Sequence, residues 1–239
     1  MRWELRSSTP IGSSGLASAD RLGCAGFLSF RANARSPSTV SAKPRSAPAE
    51  EGDLPGNSGR ELVELGADWG VRPNELLHGL RLTPRTLADP ATRLPITTCA
   101  EIVRRALART GEPGLAFSMG MKMRISMHGF LGFAAMTAAN VREALTLAER
   151  FSRTRTTLLS LRSYTEAGRG VLAIENCDLR GEAFEFLVVT LFVGLWQIGN
   201  ALTGRSLSGW VDFSFAEPAH FRRFANLVPG RMRFRQPRS

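Results

Sequence analysis

Residues 182–202 read EAFEFLVVTLFVGLWQIGNAL, the stretch that decides the fold. Phe184, Leu187, Val188, Leu191, Phe192, Leu195 and Trp196 recur at helical spacing and leave almost no polar face, which predicts a central, buried helix. Its uninterrupted apolar part, 186–196, covers 11 residues, with Glu182 and Glu185 directly before it. A spanning helix needs about 20 apolar residues, so no membrane is expected.

Working outward, two short strands precede this helix, Leu158–Tyr164 and Val171–Asn176, joined across a turn that contains Gly168 and Gly170. After it, Val211, Phe213 and Phe215 alternate with Asp212 and Ser214 as in a strand with one buried face. Pro218–Leu227 is predicted as a short helix, and Arg231-Met232-Arg233-Phe234-Arg235 alternates again. Upstream of the hairpin the punctuation is helical. Leu62, Val63, Leu65 and Trp69 form one stripe, Pro73 opens a second helix, and Pro84 and Pro90 bracket a further turn. Thr98-x-x-Glu101 predicts a capping box at the start of the next helix, with Gly111 ending it. Asn140-x-x-Glu143 predicts another helix start, carrying Val141, Ala144, Leu145, Ala148 and Phe151 on one face. The fold class expected is α+β, a helical N-terminal lobe followed by a small, mainly antiparallel sheet packed on a long apolar helix.

Residues 1–59 differ in kind. Ser, Gly and Pro fill 23 of the 59 positions and no periodicity is sustained, so they are expected to be a disordered or mis-assigned extension outside the fold. The folded domain is expected over 60–236.

The chain of 239 residues carries a net charge of +10, which turns attention to nucleic acid. The charge is unevenly placed. Residues 60–221 hold 18 basic and 16 acidic side chains, whereas 222–239 hold six arginines and no acid. Those arginines could contact phosphates, guard an edge strand against pairing, or begin a linker. With few aromatics beside them, Phe224 and Phe234 in the same segment, nucleic-acid stacking is the weakest of the three.

Catalytic signatures are missing: there is no P-loop, GxGxxG, HExxH or GxSxG. The three histidines (His78, His128, His220) are scattered, and Cys24, Cys99 and Cys177 are too far apart for ligand spacing. No enzyme, cofactor, metal site or disulfide framework is expected. His128 opens a glycine-rich segment, where it could contact a ligand; a helix-start histidine bonded to backbone is the commoner outcome.

Three stretches then combine. Ser126-Met127-His128-Gly129-Phe130-Leu131-Gly132-Phe133 with Val141-Arg142-Glu143-Ala144-Leu145 comes second in the chain, after Thr83-Pro84-Arg85-Thr86-Leu87-Ala88-Asp89-Pro90 with Arg93-Leu94-Pro95. Val211-Asp212-Phe213-Ser214-Phe215-Ala216-Glu217-Pro218-Ala219-His220 comes last. In this order they resemble the N-terminal effector-binding domain of one branch of AraC-type bacterial transcription regulators. The resemblance implies a cytoplasmic domain that binds a small effector and forms a homodimer, with DNA read by a C-terminal helix-turn-helix region. Residues 237–239 would be the start of the linker to that region, so a truncated or frameshifted regulator, unable to bind DNA specifically by itself, is the expectation. The alternative is a stand-alone interaction protein that pairs with and inhibits an intact paralogous regulator. Within the implied effector site the candidate lining residues are His128, Phe133, Arg155, Tyr164 and Trp196, where aromatics and polar tips fall beside core elements.

Overall fold

The computed structural model of the chain describes residues 4–5, 27–34, 53–166, 169–177, 181–227 and 231–236. Most of the 1–59 extension, Cys24, turn residues 167–168, and 237–239 with Arg238 lie outside the described residues.

In chain order the elements are β1 (Glu4–Leu5), β2 (Phe27–Ala34), β3 (Asp53–Pro55), α1 (Gly56–Asp68), α2 (Pro73–Leu77), α3 (Pro84–Ala88) and β4 (Arg93–Pro95). Then come α4 (Ile96–Thr110), α5 (Leu115–Lys122), a 3-10 turn (Ile125–His128), α6 (Gly129–Met136) and α7 (Val141–Arg155). The C-terminal half holds β5 (Ser160–Glu166), β6 (Arg169–Cys177), α8 (Gly181–Thr203), β7 (Leu207–Ser208), β8 (Trp210–Asp212), a 3-10 turn (Ala219–Phe224) and β9 (Arg231–Arg233). The α+β class is as expected, with helices leading and α8 packed in the core.

Two details of the helical lobe differ from the sequence reading. Helix α4 starts at Ile96, behind Pro95, so Thr98 lies inside it; Glu101 instead bonds Arg104 and Arg105 at 2.7 and 2.6 Å. Pro95 fixes the entry one turn early, which a capping-box reading does not weigh. The lobe also reaches back to Asp53, since β3 pairs antiparallel with β4 and α1 begins at Gly56. The Asn140 cap is present: its side chain accepts from Glu143 N at 3.0 Å, and Glu143 bonds Ala139 N at 2.7 Å. Both glycines of α6 have structural reasons. Gly129 sits at φ +57, and a Cβ on Gly132 would run into the main-chain oxygen of Ile125.

Pairing sense in the five-stranded sheet follows from α8. The order is β5-β6-β2-β8-β9. The β5–β6 hairpin is antiparallel, as are the small β1–β7 and β3–β4 ladders. The β2–β6, β2–β8 and β8–β9 pairings are parallel. A helix connecting two strands of one sheet returns the second in the same direction as the first, so β6–α8–β8 is a crossover, with β2 seated between its strands. Counting strands along the sequence cannot reveal that.

Helix α8 is long and apolar enough to cross a membrane by length and composition, yet Phe184, Phe186, Val188, Val189, Phe192, Val193 and Trp196 are buried among neighbouring elements. Helix α5 approaches it closely at Gly120, where a Cβ would lie 2.6 Å from Val193 Cβ and 2.9 Å from Thr190 O. On the sheet side Phe213 is fully buried, with ring centroids 5.9 Å from Phe192, 4.9 Å from Phe215 and 5.4 Å from Phe234. Arg233 forks onto buried Asp212 at 2.6 and 2.7 Å and covers Trp210, which ties β9 to β8. Replacing Phe213 by Ala is expected to cost about 3–5 kcal/mol in urea unfolding. Gly120→Val should lower the midpoint as well, by driving α5 off α8.

Candidate functional site

Small side chains are concentrated where α6 and α7 face α8. Gly132 and Ala135 on α6, with Ala144 and Ala148 on α7, leave a cavity of about 200 Å³ against Leu187, Leu191 and Leu195. A second cavity of about 160 Å³ lies between α1, α4 and α8, lined by Asn57, Glu61, Cys99, Met119 and Thr190 among others. His128 and Arg155 line both, as do Leu54, Thr156, Leu187 and Leu191, so these two polar side chains stand at the neck, the boundary where the two chambers adjoin.

Polar groups at the neck are held by backbone. Met127 O accepts from Asn57 Nδ2 and from Arg155 Nη2, each at 3.1 Å, which joins α1, the 3-10 turn and the end of α7. Arg93 grips Asp53 at 2.6 and 2.9 Å and donates to Arg155 O at 2.9 Å, fixing the same end from the other side. Thr156 Oγ1 donates to Asp53 O at 2.5 Å. Among the described residues, two buried side-chain atoms have no hydrogen-bond partner, Asn57 Oδ1 and His128 Nε2. Unsatisfied buried polar atoms are rare in native proteins and call for an explanation.

Burial governs the charges here. It pushes His128 down to about 4, reinforced by Arg155, so the imidazole is neutral near pH 7. It pushes Glu61 up to about 7 against the pull of Arg60 and Arg155. The Arg155 guanidinium is also lowered by burial. Cys99 is buried and its thiol is pushed up to about 12, which leaves it unreactive. Among the described residues no three His, Cys, Asp or Glu side chains gather as a metal would need.

Over residues 70–239 the sequence matches the family described as the N-terminal arabinose-binding domain of AraC transcription regulators. The chain belongs to this family. It is 32% identical over 178 residues to the ornithine utilization regulator of Pseudomonas aeruginosa, which covers 74% of this chain and 52% of that protein. It is also 26% identical over 137 residues to an uncharacterized HTH-type transcriptional regulator of Mycobacterium tuberculosis, over 57% of this chain and 40% of the relative. The chain thus spans about half the length of the curated relatives it matches, or less.

Of the five residues expected to line an effector site in this AraC-type domain, the fold brings three together. His128, Arg155 and Trp196 line the larger cavity, with Trp196 also donating to Leu207 O at 3.3 Å. Phe133 points away on the outer face of α6 and is 59% exposed. Tyr164 lies on β5 beneath the Arg162 guanidinium, outside both linings. Helix phase separates Phe133 from the inward Gly132 and Ala135, and strand alternation turns Tyr164 away from the inward Leu161. Asn57 and Glu61 were missed. Their i, i+4 spacing beside the apolar Leu62 and Leu65 is the available signal; a domain boundary at residue 60 leaves Asn57 outside, and Glu61 reads as an ordinary solvent-facing acid.

Glu61 and His128 oppose each other in acid. Glu61 binds its proton more tightly folded than unfolded, so its contribution falls as pH rises from about 4.5 to about 7. His128 binds its proton less tightly folded, so its contribution rises between about pH 4 and 6.5. Relative to wild type, Glu61→Gln should steepen the rise of Tm over pH 4.5–6.5, and His128→Gln should flatten or reverse it, as read by thermal melts across that range.

Proposed function

We propose that residues 53–236 are the effector-sensing and pairing part of a cytoplasmic AraC-type transcription regulator, without catalytic chemistry of their own. The observation that carries this reading is the pair of adjoining cavities, apolar over most of their walls, with His128 Nε2 and Asn57 Oδ1 unpartnered among the described residues at their boundary. Small-molecule sites have this composition, mostly hydrocarbon wall with a few converging polar groups. The imidazole has no activated nucleophile beside it, since the Cys99 thiol of the second chamber is held protonated.

Pairing is supported by the outer face of α6. Phe130 is 94% exposed, Phe133 59% and Met136 53%, an apolar surface next to the cavity wall formed by Leu131 and Ala135. Clustered exposed aromatics of this kind mark contact surfaces. We assign DNA contact to a region other than these residues, since three of the six terminal arginines lie beside carboxylates. Arg223 pairs with buried Glu112, Arg233 with Asp212, and Arg222 lies 3.7 Å from Glu217.

The Pseudomonas relative is named for ornithine utilization. Leucine walls beside a guanidinium are a poor match for that cationic amino acid, so ornithine is one member of the screen and no more. Thermal melts of the full chain against a metabolite library should show at least one compound raising Tm dose-dependently. A well-folded protein that responds to none would refute the sensing role. In sedimentation the wild type should be a dimer and Phe130→Ser/Phe133→Ser a monomer; an unchanged state would remove α6 from the interface.

A further inference from the structure

We infer that the occupant of the larger chamber is an amphipathic monocarboxylate, its carboxylate on Arg155 at the neck and its hydrocarbon chain between α6, α7 and α8. This rests on reading the cavity as the effector site, and it names the chemistry of what enters.

The guanidinium is the first ground. Other partly buried arginines of the domain have carboxylate partners: Arg93, which also bonds Arg155 O, has Asp53, Arg105 has Glu101, and Arg233 has Asp212. Arg155 has no carboxylate within 4.0 Å among the described residues, and its side chain is held only by the neutral oxygen of Met127. A buried cation without an anion is costly, and an anionic ligand removes that cost. His128 supplies the second ground. Its Nε2 is buried, unpartnered and in the lining beside Arg155, and a neutral imidazole can carry its one proton there and donate it. A carboxylate accepts from two donors at once, which an ether or a hydrocarbon does not.

Walls of the chamber are the third ground. Beyond the neck they are Leu131, Ala135, Ala144, Leu145, Leu191 and others of the same kind, which suit a saturated chain and offer nothing to a second charge. Glu61 is the competing anion. It lies in the other chamber, beyond ion-pair distance of Arg155, and burial keeps much of it un-ionised below pH 7. The chain is thereby directed away from Glu61, into the larger space.

Calorimetry and thermal melts on the full chain would compare octanoate, octan-1-ol, octylamine and acetate, below micelle-forming concentrations. Octanoate should raise Tm and bind at least about tenfold more tightly than octanol, with acetate and octylamine inert. Arg155→Gln should abolish the preference of octanoate over octanol. Ala148→Phe, which fills the chain space, should weaken both. If Arg155→Gln does not fold, the wild-type ratio decides by itself. Octanol equal to octanoate, or tighter binding of octylamine, would overturn the proposal. Should octanoate do nothing while some other metabolite stabilises the protein, the ligand class falls and the sensing role stands. If no compound stabilises it, both fall.

Discussion

The packing at the centre of this domain answers one demand, that a 23-residue helix with almost no polar face be kept from water. Helix α5 covers one side, and can come close enough only because residue 120 has no side chain. The Phe213 cluster of the sheet covers another, and Trp196 reaches Leu207 across a third. Helices α6 and α7 cover the last side incompletely. Among their inward residues Gly132, Ala135, Ala144 and Ala148 are small where full contact would need leucine or phenylalanine, and the cavity is what remains. A void of this kind forfeits dispersion contacts that larger side chains would supply. Its retention beside the central helix is the structural basis for treating it as a site.

The neck is built with the opposite logic. There the chain places polar groups in a low-dielectric region and anchors them through main-chain oxygens, with Met127 O receiving both Asn57 and Arg155. Because α1, the 3-10 turn and the end of α7 meet on that one atom, the N-terminal lobe is coupled to the cavity wall. The Arg93–Asp53 pair repeats the link from the strand side.

How much of this was legible in the sequence depended on range. Helix α8, the Asn140 cap, the β5–β6 hairpin and the alternation of β9 all come from local pattern, and all appear at nearly the expected places. The parallel pairings and the place of β2 depend on how α8 returns the chain, a fact about topology with no local signature. In the site the same division holds. His128, Arg155 and Trp196 were found because polar or aromatic residues beside apolar runs are informative. Phe133 and Tyr164 were misplaced because the facing of a short helix or strand is set by its neighbours. Glu61 escaped notice because an acid on an amphipathic helix ordinarily faces water, and here the helix is turned so that it does not. Net charge is likewise blind to placement: Arg233 braces β9 by pairing with Asp212, and Arg223 braces the Phe221–Phe224 turn by pairing with Glu112.

The incomplete cover on α8 has a mechanical side. Hydrostatic pressure favours whichever state occupies less volume, and unfolding eliminates internal voids in proportion to their size. A domain with two adjoining cavities beside its central helix concentrates its compressible volume there. Under pressure the α6–α7 wall is where the structure would yield first, and an occupant that fills the space would make the same wall the stiffer part of the molecule.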